Sequence, residues 1–474
     1  MTTEVLFLAS DFSELAETEN LSVRPDYPVQ ERLALPLGGP GTWDERRIGP
    51  GCVFFDEQYG CYRMWYVAAP VFDGKIAGGH HIAYAESSDG LHWEKPDLGL
   101  VEYNGSRHNN LVSGLPENMD GVSVCRGIDG KYKMVIMNAR VLKPEEVTDP
   151  GIRALLHTTE MPAFMGIAES ADGLQWYFEN NNCAVIKEKF EIGRLWHNGK
   201  SYIMNGQQGR PFINHVNHHR CVVFYESDDL KTWRKSPRYF SIDDGEFGQC
   251  HCGIAPCLKV GKTLVGLCGH FHDAPELPDQ NFDIDLAYSS DGLEWRRPFP
   301  ATPYLRRGEP TAWNGLGLRQ TEGFAVNGDE MYFYFFASDC GNDLSSRHIP
   351  GIARFKRNRF AFATISVGWD IFGGERYGML RTPVVSRKQA AEIILNCGNF
   401  KPDGKLLVTL TDETGHELPD FSREDALPVC EDALEVPVRW KNNQELPEHF
   451  CIKVEFSGRG LAPQLPHLYT IGIR

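Results

Sequence analysis

The chain has 474 residues, 42% of them hydrophobic, with 47 glycines and 29 prolines; this length exceeds the size at which one core stops growing and predicts a turn-rich protein of two domains. A formal charge of −16 argues against a nucleic-acid surface, which needs clustered Lys and Arg to displace counterions. No run of about 18 apolar residues occurs and the first residues carry no basic region, so the expectation is a cytoplasmic protein with no membrane partner.

Thirteen cysteines, an odd number scattered without paired metal spacing, fit a reducing compartment better than a disulfide framework. The cluster Cys250-His251-Cys252 alternates as a strand would, putting two thiols on one face and the imidazole on the other, so neither a metal nor a cofactor is expected.

In chain order, residues 1–35 read as an N-terminal arm. Helical periodicity is confined to Asp11 to Asn20 and Ser386 to Leu395, both short, and the expected class is all-β. From Gly51 the chain runs apolar strand, charged turn, aromatic strand, through Cys52-Val53-Phe54-Phe55 and Tyr62-Arg63-Met64-Trp65-Tyr66. This hairpin recurs over residues 122–137, 192–205, 253–267 and 323–336.

Each of the first four hairpins is followed by a second unit, Ser87-Ser88-Asp89-Gly90-Leu91-His92-Trp93 in the first copy, with equivalents ending at Trp176, Trp233 and Trp295. Asp-Gly supplies the positive φ of a tight two-residue turn, and the tryptophan beyond it anchors one blade on the next. Both units read as scaffold. Their irregular spacing suits propeller blades that absorb insertions in loops better than a solenoid of fixed pitch.

Five hairpins predict a five-bladed β-propeller over residues 36–365. In the fifth, Arg357-Asn358-Arg359 stands where Asp-Gly is expected. Beyond it, short strands at 390–395, 406–410, 434–440 and 451–456 predict a C-terminal β-sandwich over residues 366–474.

The innermost strands of a propeller begin around one opening, so residues just ahead of them converge however distant in sequence. Ahead of the five lie Trp43-Asp44-Glu45-Arg46-Arg47, then Glu117 to Asp120, then Glu191, then Glu246, Gln249 and His251, then Arg319-Gln320-Thr321-Glu322. Every blade offers a carboxylate. Two carboxyl groups, one protonated and one ionised, are what cleavage of a glycosidic bond requires. Trp43, Arg47, His251, Gln320 and Glu322, with His270 at the end of an apolar strand, are expected to bind the sugar. Arg210, His215, His218, His219 and Arg220 form a basic loop suited to an anionic substituent or phosphate.

The five-bladed pattern, the acids ahead of blades 1 to 3 and the trailing sandwich resemble the furanosidase-type glycosidases of glycoside hydrolase families 32 and 43. The sandwich favours family 32, the β-fructofuranosidases. That family carries Asp in Trp-Met-Asn-Asp-Pro-Asn-Gly, Asp in Arg-Asp-Pro and Glu in Glu-Cys-Pro; here the second and third acids stand in Met119-Asp120-Gly121 and Glu191-Ile192-Gly193, and the first is displaced to Asp44. The resemblance implies catalytic roles for Asp44, Asp120 and Glu191: Glu191 as general acid, Asp120 as the neighbour that keeps it protonated, and Asp44 opposite, about 5 to 5.5 Å from Glu191 for retention. It also implies a small, fructoside-like oligosaccharide as substrate. A glycoside phosphorylase and a non-catalytic carbohydrate-binding propeller are the alternatives.

Overall fold

A computed structural model of the chain describes residues 3–6, 12–71, 80–116, 120–137, 165–180, 184–186, 188, 191–209, 220–240, 249–272, 274, 279–299, 302–339, 346–367, 374–387, 392–401, 403–442 and 444–474. It is all-β, with a 3-10 turn at Ala462–Gln464. Residues 29–258 and 264–354 cluster as one compact unit, and residues 1–28, 259–263 and 355–474 as another. Strands β1 (Thr3–Leu6), β2 (Glu17–Glu19), β3 (Leu21–Pro25) and β4 (Val29–Arg32) occupy the expected arm.

The unit containing residues 29–354 is a series of antiparallel meanders. The first holds β5 (Arg47–Asp56), β6 (Cys61–Ala69) and β7 (His81–Ser87), and the second β8 (Asp120–Arg126), β9 (Tyr132–Met137) and β10 (Met165–Ser170). The third holds β11 (Glu191–His197), β12 (Tyr202–Gly209), β13 (Arg220–Ser227) and β14 (Arg234–Phe240). The fourth holds β15 (Gln249–Val260), β16 (Thr263–His272), β17 (Asn281–Ser289) and β18 (Trp295–Arg296). The fifth holds β19 (Gly317–Asn327), β20 (Glu330–Ser338) and β21 (His348–Lys356), and β4 from the arm completes it by pairing antiparallel with β21. Second strands such as β6, β9 and β20 are buried along nearly their whole length, which is why they read as continuous apolar runs rather than alternating ones.

The Asp-Gly-x-x-Trp units close differently from a two-residue hairpin. In the first copy the flanking residues Glu86 and Glu94 pair across the loop, and the Asp89 carboxylate caps it, accepting from the backbone N–H of Leu91 at 2.8 Å and His92 at 2.9 Å. Ser87 Oγ accepts from Gly90 N–H at 2.9 Å, and Trp93 Nε1 donates back to Gly90 O at 3.1 Å. An Asx-type side-chain cap outcompetes the tight turn because it satisfies two backbone donors at once. Gly90, Gly173 and Gly292 take positive φ there, and in the third copy Leu230 does so at φ 62°. Each glycine is pressed against another meander: a Cβ on Gly90 would lie 2.3 Å from Ala325 of β19, and one on Gly173 2.8 Å from the Trp65 ring of β6.

The other unit consists of two sheets built from β1 to β3 with β22 (Ala361–Ile365), β23 (Glu375–Arg381), β24 (Val385–Ser386), β25 (Ile393–Gly398), β26 (Lys405–Thr411), β27 (Ala433–Pro437), β28 (His449–Arg459) and β29 (His467–Ile473). One runs β27-β25-β29-β22-β3 with β1 on β29, the other β2-β23-β28-β24 with β26 on β28, and Leu395, Leu406, Val408, Leu410, Val454 and Ile471 share a single core. The two helical expectations give way to strands: β2 lies within 11–20 and pairs with β23, and 393–395 open β25 and pair with β29, sheet pairing overriding local helix propensity in both. β22 pairs with β3 and β29 rather than prolonging the fifth meander; Asn358 at φ 60° turns the chain away from β21.

Candidate functional site

The first strands of the five meanders are tied into a closed ring by contacts between residues far apart in sequence. Val124 N–H of β8 donates to Cys52 Sγ of β5 at 3.2 Å, and Leu195 N–H of β11 to Ser123 Oγ of β8 at 2.8 Å. Asn205 of β12 clamps Ile254 of β15 through both its amide atoms, at 2.9 and 3.1 Å, and Gln320 Nε2 of β19 donates to Gly253 O at 3.1 Å. The circle closes where β19 and β5 pair in parallel, Glu322 opposite Cys52 and Gly323 opposite Val53. Only glycine fits at 323: its φ is 92° and a Cβ would sit 1.7 Å from Val53 O. A cavity of about 580 Å³ is lined by the later halves of all five first strands, among them Cys52, Asp56, Arg126, His197, Cys257 and Glu322, and so lies toward the ends of these strands and not at their heads.

The heads of these strands share a backbone device. Pairing registers break between Ile48 and Gly51, Asp120 and Val122, Glu191 and Arg194, and Gln320 and Phe324. A bulge kinks a strand and re-aims the side chain beside it. The sequence places Asp120, Glu191 and Glu322 at three of these bulges.

Glu322 is 7% exposed and accepts from Ser123 Oγ at 2.6 Å. Burial pushes its carboxyl up to about 7, against the pull of Arg194 and Ser123. Arg194, 1% exposed, reaches across to β8 and β19, donating from Nη1 to Val122 O at 3.0 Å and from Nη2 toward Gln320 O at 3.5 Å. The thiols of Cys52, Cys125 and Cys257 are held protonated by burial, with the Glu322 charge adding to the effect.

Glu191 is half-buried and accepts from Gln207 Nε2 of β12 at 2.5 Å. Asp120 opens β8 opposite Met137; its side chain, those of Cys250, His251 and Cys252, and residues 117–119, 210–219 and 246 lie outside the described residues. Asp44 is 1% exposed and its carboxylate is taken up by Lys95 Nζ at 2.5 Å, Thr42 Oγ1 at 3.3 Å and Tyr66 OH at 3.4 Å. Trp43 joins the same neighbourhood by donating from Nε1 to Asn110 Oδ1 at 2.8 Å, while Asn110 donates to Tyr66 OH at 2.9 Å.

Arg47 is buried, with its backbone paired to His348 of β21; burial first, then Arg47 and its neighbours Arg319 and Arg46, push the His348 imidazole well below its ordinary range. His270 is buried with Nδ1 3.0 Å from Asp285 Oδ2, stacked 4.6 Å over His272, whose Nε2 lies 2.8 Å from Asp283. Gln320 is buried against Gly269, where a Cβ would approach its Oε1 to 2.8 Å. The structure therefore brings Gln320, Glu322 and the head of β11 together through shared contacts, and sets Trp43 with Asp44 in a second cluster. Among the described residues, no group of three or more His, Cys, Asp and Glu is placed to hold a metal ion.

Ser123, Arg194 and Asn205 are absent from the sequence expectations. A signal for two of them exists: Ser123 and Arg194 each stand three residues beyond a head acid, Asp120 and Glu191.

No protein-family model and no curated protein matches the chain. Among solved structures it is similar to a thermostable family-43 glycoside hydrolase, 15% identical over 68% of this chain and 92% of that one, with a TM-score of 0.44. It is similar to a fructofuranosidase from Schwanniomyces occidentalis in complex with fructosylnystose, 12% identical over 92% and 99%, TM-score 0.40. It is also similar to an N-acetylgalactosamine deacetylase from F. plautii, 15% identical over 70% and 96%, TM-score 0.48.

Proposed function

We propose that the five meanders are the blades of a five-bladed propeller, that the two-sheet unit is a β-sandwich, and that the chain is a glycoside hydrolase. The centre of the reaction is the end of the ring where the first strands begin. The observation that carries this reading is the repeated bulge, which puts Asp120 and Glu191 at the same station on adjacent blades. Paired carboxyl groups can protonate a leaving oxygen and stabilise an oxocarbenium-like centre.

In this reading Glu191, oriented by Gln207, donates the proton to the leaving oxygen, and Asp120 on the neighbouring blade is the second carboxyl group of the site. The ion pair with Lys95 gives Asp44 a different part: it anchors the segment ahead of β5, and a further acid from the ring supplies the base or nucleophile. The substrate is a short, furanoside-containing oligosaccharide, bound from the side of Gln320 and His251.

Two variants test this. Asp120→Asn and Glu191→Gln should fold normally and lower kcat by roughly 10²-fold or more, the scale of general acid–base terms. Turnover of fructosides and arabinosides, measured with and without phosphate, decides the reaction class. Phosphate-dependent turnover would make the chain a phosphorylase, and binding without turnover a carbohydrate-binding protein.

A further inference from the structure

Glu322, Ser123 and Arg194 form a buried bridge across the ring that the glycosidase reading does not use. Ser123 accepts from Leu195 N–H at 2.8 Å and donates to Glu322 Oε2 at 2.6 Å, so one hydroxyl joins β8, β11 and β19. Arg194 joins the same three strands through Val122 O and Gln320 O. The bonded positions lie at or beside the bulges: Val122 and Ser123 follow the break in β8, Arg194 and Leu195 follow the break in β11, Gln320 precedes the break in β19 and Glu322 lies within it. A bulge is a locally soft kink, with one residue unpaired in the ladder. Side chains that lock three such kinks to one another set the direction in which each strand head leaves the ring.

We propose that Glu322 is a positioning residue, which through Ser123 and Arg194 holds the heads of β8 and β11 so that Asp120 and Glu191 meet one substrate at fixed separation. The proposal rests on the glycosidase reading and adds residues that touch neither substrate nor reacting atoms. Its bonds are made by an acceptor oxygen on residue 322 and a hydroxyl on residue 123. Glutamine at 322 keeps that oxygen, whereas leucine fills the space without it. Misplacement of a catalytic pair by about 1 Å costs up to about 10²-fold in rate while ground-state binding changes little.

The test uses the full chain and whichever of kestose or 4-nitrophenyl α-arabinofuranoside it turns over. Expected are a fall in kcat of about 10- to 100-fold in Ser123→Ala and Glu322→Leu with KM within about twofold, and recovery to within about threefold of wild type in Glu322→Gln. Rates are referred to the folded fraction from circular dichroism, so loss of fold is not read as loss of positioning. Wild-type kcat in both deletions, a rise in KM in place of the fall in kcat, or a Glu322→Gln variant as impaired as Glu322→Leu overturns the proposal and leaves the glycosidase reading intact. A chain that turns over neither glycoside ends both, a result the variants cannot mimic.

Discussion

The Ser-x-Asp turns and the bulged strand heads are both repeats, yet they are held by opposite kinds of interaction. In every turn the capping bonds run between residues two or three apart, and Asp89, Asp172, Asp229 and Asp291 accept from equivalent backbone N–H groups at 2.7 to 2.9 Å. At the strand heads the backbone device recurs, but the bonds that hold it join residues 72 apart in Arg194 and Val122 and 199 apart in Ser123 and Glu322. A turn that closes on itself can be copied unchanged. A head that depends on its neighbours must carry a different residue in each blade, and chemistry becomes possible there.

The largest effect is expected where the turn of one meander meets the strands of its neighbour. Arg63, 1% exposed, donates to Tyr132 OH at 2.7 Å, Tyr84 OH at 2.8 Å, Asp56 at 3.2 Å and, at 2.7 Å, the carbonyl of Asp172 in the next meander's turn. Arg63→Ala leaves Asp56 buried with only Arg126 as a cationic partner and should destabilise the fold by about 3–5 kcal/mol in urea unfolding. A loss under about 1 kcal/mol would mean the turns hold without the neighbouring blade, widening the contrast.

Next comes Glu322. Its folded carboxyl titrates at about 7, above the ordinary value of 4.5, so the stability linked to its proton is complete below about pH 4.5 and is lost as pH rises through 7. The size is about 3 kcal/mol. Unfolding free energies of wild type and Glu322→Gln at pH 5 and pH 8 should differ by that amount in their pH dependence; parallel curves would remove the carboxyl from the closed ring.

Smaller effects are expected in the turns. Ser170→Ala removes a fully buried hydroxyl that accepts from Gly173 N–H at 2.8 Å and should cost about 1–2 kcal/mol. Ser289→Ala should cost the same, because its bond to Gly292 is also 2.8 Å; unequal losses would show that the copies are not interchangeable. Smallest is Leu230→Gly. Leu230 stands at φ 62° where the other copies have glycine, but it also packs on the core of the third meander, so relief of the backbone and loss of packing should nearly cancel and leave stability within about 1 kcal/mol of wild type in thermal unfolding.

What local chemistry decides is legible in the residues. The all-β class, the five hairpins and the four turn units follow from alternation, Asx capping and glycine at positive φ, all of which act within a few residues. Even so, locality misled where two local options compete: Asp-Gly signals a tight hairpin, and only the Ser two residues before the Asp shows that a wider capped loop wins. Asp120 and Glu191 were legible as heads of strands because their offset from the hairpin repeats.

Tertiary structure alone decided the rest. That β4 completes the fifth meander, that Asp44 is committed to Lys95 and that Arg194 spans to two other strands depend on closing the ring, which brings together residues whose separation in sequence carries no period. Burial likewise has no sequence signature at a single glutamate. Glu322 reads as one more loop acid until five strands close over it and move its proton affinity to neutrality.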